Sequence, residues 1–121
     1  MASPANEVGC LLVFGLGYCG TAIAVGAVAA GYRVVATSRT PEGKRPPHGV
    51  ELIAFDAATD AIAAATHILE TAAPDEHGDP ALARHAVALA AAPSLRWAGM
   101  LSTTGVYGDR GGGWVDETTP P

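Results

Sequence analysis

Residues 10–20 read CLLVFGLGYCG, and this stretch limits the fold more than any other part of the chain. A run of five apolar residues meets glycines at positions 15, 17 and 20, and an alanine-rich segment follows. A short apolar run that stops at glycine has the pattern of a strand buried on both faces. Residues 18–30 are mostly Ala, Val, Gly, Ile and Thr, with Gly31 as a natural helix stop. Gly15 permits a tight turn off the strand, Gly17 leaves the backbone uncovered, and Gly20 lets the helix pack close to the strand.

The same region raises a competing reading. From Val8 to Tyr32 the chain carries no charge, a length that suits a bilayer span or a signal peptide. The preceding MASPANE has no Lys or Arg, and glycines at 15, 17, 20, 26 and 31 cut the stretch. A buried strand followed by a small-residue helix explains both features, so no membrane association is expected. With 121 residues, 49% apolar and 16% charged, the chain suits one ordered domain. Its net charge of −5 and its 6% aromatic content speak against nucleic-acid binding. Cys10 and Cys19 lack metal-site spacing and read as small buried apolar residues. Nothing demands an oxidising compartment, and a cytoplasmic location is expected. His48, His67, His77 and His85 lack metal spacing as well, so no metal is expected. Asp75, Glu76 and Asp79 read as a solvated loop with a helix cap, and Trp97 and Trp114 as packing residues.

Further along, residues 33–37 (RVVAT) read as a second strand and VELIAF as a third. Between them, RTPEGKRPPHG is loop by composition. DAATDAIAAAT holds a short helix capped by Thr59 or Asp60. THILETA reads as a fourth strand, weakened by Glu70. Residues 80–91 form a helix with Asp79 as cap and Pro80 in the first turn. RWAGMLST is a fifth strand, and the remainder is loop. Strands alternating with helices imply an α/β fold: a doubly wound parallel sheet of the Rossmann type, strand order 3-2-1-4-5.

A G-x-G-x-x-G turn between a strand and a helix, inside a strand–helix–strand unit, is the setting of a dinucleotide site. The first-turn amides act on a diphosphate like about half a positive charge. The candidate cofactor residues there are Gly15, Gly17, Tyr18, Cys19 and Gly20. An NAD site places an acid at the end of the second strand. Here the chain reads ATSRT, with no acid. Arg39 offers a planar fork of donors suited to a 2′-phosphate and Ser38 adds a hydroxyl, which favours NADP over NAD. Asp56 suits two roles, accepting from an adenine amino group or capping the next helix, and both stay open. Residues 72–74, Pro74 among them, lie near the expected cofactor channel.

LLVFGLGYCG, TSRT, FD and above all LSTTGVYGDRGGGWVDETTPP resemble the extended and atypical short-chain dehydrogenase/reductases, in particular the NAD(P)-dependent epimerase/dehydratases. The resemblance covers nearly all of this chain and the N-terminal part of a family member, so an incomplete fold lacking the substrate-binding portion is expected. It implies hydride transfer on a sugar-nucleotide-like hydroxylated substrate. Counting back from V-Y-G, Thr103 falls on the catalytic Ser/Thr position, with Thr104 and Tyr107 on the substrate side. Tyr107 is not the tyrosine of a Y-x-x-x-K pair, because Gly111 stands four residues on. Without a neighbouring lysine, a phenol near pKa 10 is a poor acid–base group at neutral pH. The glycine spacing is that of atypical members, some of which lack the Tyr–Lys pair, so a non-catalytic NAD(P)-binding regulatory module is the alternative. An unpaired edge at strand five also leads us to expect marginal stability or self-association.

Overall fold

The computed structural model describes residues 8–72, 76, 78–102 and 107–121. Five parallel strands form one sheet in the order β3-β2-β1-β4-β5. They are β1 Cys10–Phe14, β2 Arg33–Ser38, β3 Val50–Ala54, β4 His67–Glu70 and β5 Trp97–Met100. The helices are α1 Tyr18–Ala29, α2 Thr59–Ala64 and α3 Pro80–Ala90, with a 3-10 turn at Phe55–Ala57. This is the Rossmann-like doubly wound arrangement expected from the alternation of elements. β1 lies between β2 and β4. The sheet therefore reverses its winding beside β1, where ligands bind in open α/β sheets.

Alternating side chains of the central strands feed two cores. Leu11, Val13, Val34, Ala36 and Leu69 pack with Ala24 of α1 on one face. Leu12, Phe14, Val35 and Ile68 pack with Ile62 of α2 and Ala81 of α3 on the other. Burial on both faces explains why β1 and β2 read as near-continuous apolar runs. In α1 only Gly20 and Ala24 are fully buried, so small residues bring its backbone close to the sheet. Gly31 ends α1 at φ +96°, with Gly31 N–H donating to Val28 O and Tyr32 N–H to Ala27 O. These are the two bonds of a Schellman stop.

Asp79 caps α3 as expected, Oδ1 accepting from Ala81 N–H (2.8 Å) and Leu82 N–H (3.1 Å), with Pro80 in the first turn. The expected cap of α2 is corrected. Ala58 occupies the cap with no side-chain bond, and Thr59 and Asp60 lie inside the first turn. Ile62, fully buried, anchors α2 instead. Strand four is shorter than its apolar run suggests, and Glu70 ends it rather than interrupting it. Cys19 is exposed and Cys10 half-buried, so only part of the expected cysteine burial holds. Trp114 is fully exposed and packs nothing. Trp97 is half exposed; its indole lies where a Cβ on Gly99 would sit, so Gly99 makes room for it. His85 is buried, its Nε2–H donating to Phe55 O (2.8 Å) and its ring stacked on Phe14. α3 leaves helical geometry at this residue (φ −122°, ψ 19°). Among the described residues no helix is long and apolar enough to cross a membrane.

A helix as short as α2 has little stability of its own and depends on its anchor. Ile62→Ala should cost about 2–5 kcal/mol by urea unfolding. A loss under about 1 kcal/mol would mean that α2 is not seated through Ile62.

Candidate dinucleotide site

Strand register brings the candidate residues to one edge of the sheet. Phe14 of β1 pairs with Thr37 of β2 and Glu70 of β4, and Ser38 pairs with Ala54 of β3. Gly15, Arg39, Phe55 and Thr71, each one residue further on, therefore all leave the carboxyl edge of neighbouring strands. Sequence spacing anticipated Gly15 and Arg39 here. It did not anticipate Phe55, Thr37 or Thr71.

The glycine turn is held from both sides. Gly15 N–H donates to Thr37 Oγ1 (3.3 Å). Thr71 Oγ1 lies 2.9 Å from Phe14 O and 3.0 Å from Gly15 O, its single hydrogen shared between two carbonyls. Gly15 adopts φ +95°, and a Cβ there would come within 2.8 Å of Thr71 Oγ1. A Cβ on Gly20 would come within 2.7 Å of Gly15 O. These two glycines are needed by the protein itself. Gly17 is different: a Cβ there would meet no heavy atom within 4 Å, and its φ of −89° suits any residue. It caps α1 without a side-chain bond, and the helix begins at Tyr18. Tyr18 is 93% exposed and Cys19 is exposed, so neither side chain fills the turn. The first-turn amides, which no α-helix can satisfy internally, thus face an open backbone cradle. That cradle fits a diphosphate.

Beside it, Arg39, Ala54, Phe55 and Asp56 line a cavity of about 380 Å³. The Arg39 guanidinium carbon lies 5.8 Å from the centre of the Phe55 ring, a cation–π contact that orients the fork while leaving its edge for a ligand. Ser38 is buried, and its Oγ accepts Thr40 N–H (3.2 Å). One of its two lone pairs is thereby engaged by the loop, and its hydroxyl hydrogen stays available to donate. Asp56 makes no cap bond; Oδ1 accepts from Arg84 Nε (3.1 Å) in an exposed pair. The capping alternative for Asp56 is therefore not realised.

At the far side of the edge, Glu70 is 6% exposed. Its Oε1 accepts Ala72 N–H (2.8 Å), while Oε2 is buried with no hydrogen-bond partner. Burial, together with the facing Asp79 carboxylate, pushes the Glu70 carboxyl up to about 7, against the pull of the Ala72 and Ala81 amides. Sequence reading saw in Glu70 only a weak strand residue, because nothing in HILE announces which way the carboxyl points.

Pro74, Thr103 and Thr104 lie outside the described residues. Tyr107 is half-buried, and its carbonyl accepts from Arg110 Nε (2.9 Å). The tail beyond it is loop, as its composition suggested, pinned by Asp116 accepting from Thr118 N–H and Oγ1–H. These bonds hold the Asp116 carboxyl below its usual range. Among the described residues no group of three His, Cys, Asp or Glu could hold a metal ion.

Three solved structures share this architecture. A conserved Silicibacter pomeroyi protein of unknown function is 41% identical, with TM-score 0.82 over 93% of this chain. A Methylobacillus flagellatus protein provisionally named an NAD-dependent epimerase/dehydratase matches 95% of the chain at 23% identity, TM-score 0.67. A Burkholderia cenocepacia protein provisionally named an epimerase matches 96% at 25% identity, TM-score 0.64. The chain spans 42–44% of the length of these proteins. No protein-family model matches the chain, and neither does any curated protein.

The two classes of glycine separate experimentally. Gly17→Val should leave the urea midpoint unchanged and abolish dinucleotide binding in a calorimetric titration. Gly15→Ala, which forces a Cβ toward Thr71 at positive φ, should lower stability by about 1–3 kcal/mol. Unchanged affinity in the first variant would remove Gly17 from the site.

Proposed function

We propose that the chain is an NAD(P)-binding domain of an epimerase/dehydratase-type oxidoreductase. The observation that carries this reading is the uncovered backbone cradle at Gly17, at the winding reversal of the sheet and on the same edge as the Arg39–Phe55–Asp56 cavity. The fold likeness to the Burkholderia protein named an epimerase is in line with it.

A bound nicotinamide dinucleotide supplies hydride acceptance and donation. The chain's own residues bind and orient it. The amides of Tyr18, Cys19 and Gly20 would hold the diphosphate. Arg39, steadied on Phe55, would pair with a 2′-phosphate, with Ser38 donating its hydroxyl hydrogen, so NADP is favoured over NAD. Asp56, with Oδ1 engaged by Arg84, would use Oδ2 toward the adenine amino group. Pro74 would line the channel. Thr103 would hydrogen-bond the reacting oxygen of a hydroxylated, sugar-nucleotide-like substrate, beside Thr104 and Tyr107.

A second reading is a binding module without catalysis. It is favoured by one feature: the G-x-G-x-x-G spacing of Gly15, Gly17 and Gly20, which resembles that of the atypical short-chain dehydrogenase/reductases. Binding without any hydride transfer by this chain would support it.

The coenzyme preference gives the test. NADPH should bind more tightly than NADH by about tenfold or more, the effect of one charge-assisted contact. Arg39→Ala should erase the difference. Equal affinities in the wild-type chain would defeat the NADP assignment.

A further inference from the structure

We propose that Glu70 is a positioning residue for the glycine cradle, acting through a single proton that it shares with Asp79. The inference rests on the dinucleotide reading above.

The geometry begins with the orphaned oxygen. Glu70 Oε2 is buried without a donor, and the group facing Glu70 is the Asp79 carboxylate, itself an acceptor. Two carboxylates cannot bond to each other unless one carries a proton. Asp79 Oδ1 already accepts from both α3 amides as the helix cap. The proton belongs on Glu70, where burial disfavours charge and Oε2–H can be donated to Asp79. Such a pair titrates as a unit.

No other charge competes among the described residues packed against Glu70. From β1 it meets Phe14, and from β5 Met100, both uncharged. From α3 it meets Asp79, while His85 is engaged by Phe55 O and stacked on Phe14. Arg84 is turned outward to Asp56. The carboxyl pair also lines an apolar groove of about 320 Å³ with Leu82, Leu95 and Met100, and the Ala81 amide there is already bonded to Asp79 Oδ1.

The route to the cradle is short. Glu70 Oε1 holds Ala72 N–H, and the residue between them is Thr71, whose hydroxyl closes on Phe14 O and Gly15 O. With the proton in place, β4, the turn after it and the cap of α3 are tied together. When it leaves, the buried Glu70 carboxylate faces the partly exposed Asp79 carboxylate with like charge, and Thr71 loses its fixed position over Gly15.

The sign of the pH effect follows. The folded chain holds a proton up to about pH 7 that a free glutamate, at 4.5, has released. Stability contributed by the pair is full at low pH and is lost as pH rises through this window.

The experiment compares wild type with Glu70→Gln from pH 5.5 to 8.5. Glutamine keeps the acceptor for Ala72 and offers Asp79 a permanent donor. Wild-type affinity for NADPH, relative to Glu70→Gln at the same pH, should fall by about tenfold across pH 7, the worth of one pK unit of coupling. Taking the ratio cancels titration of the coenzyme's own phosphate. A constant ratio would overturn the proposal. If neither variant binds NADPH or NADH at any pH, the dinucleotide reading fails. The carboxyl pair is then judged separately by carbon-13 NMR of the glutamate carboxyls. Ionisation of Glu70 near pH 7 that falls in Asp79→Asn would uphold the shared proton. Ionisation in the ordinary carboxylate range would overturn it.

Discussion

The backbone of Gly15 is clamped between two threonine hydroxyls, and the site depends on that clamp. Thr37 receives the Gly15 amide from the β2 side, and Thr71 reaches the Phe14 and Gly15 carbonyls from the β4 side. Both threonines stand at the carboxyl ends of strands already fixed by their pairing with β1. The sheet thus sets the position of the turn through side-chain bonds rather than through the turn's own rigidity. With Gly15 held, α1 must start where it does, and Gly20 must pass against the Gly15 carbonyl. Gly17 is left as the position where an added Cβ would meet nothing of the chain.

The fold was legible because its signals were local. Apolar runs broken by glycine gave the central strands, and Gly31, Asp79 and Pro80 gave helix ends whose chemistry is contained within a few residues. The α2 cap was misread because two good cap residues, Thr59 and Asp60, stand next to Ala58. The preceding 3-10 turn delivers Ala58 to the cap position, so tertiary geometry outweighs side-chain preference there. The site was half legible for the same reason. A glycine spacing and an Arg where an acid is usual can be read along the chain. Thr71 on Gly15 and Phe55 beside Arg39 are contacts that strand register brings together, and Asp79 faces Glu70 because α3 starts against the end of β4.

Charge gives the site its remaining logic. The chain carries a net −5, yet the candidate ligand is a polyanion. Attraction must come from a few local groups: the amide end of α1 and the Arg39 fork. At short range an ionised Glu70 beside the same edge would oppose them, in surroundings too apolar for water to screen the repulsion well. A neutral Glu70 removes that opposition and still supplies the acceptor that Ala72 needs. Replacing it with an apolar residue would lose the tie to Ala72, and leaving it ionised would weaken the anion field. Protonated and bonded to Asp79, it meets both requirements, and Asp79 Oδ1 is already engaged by the amides of α3.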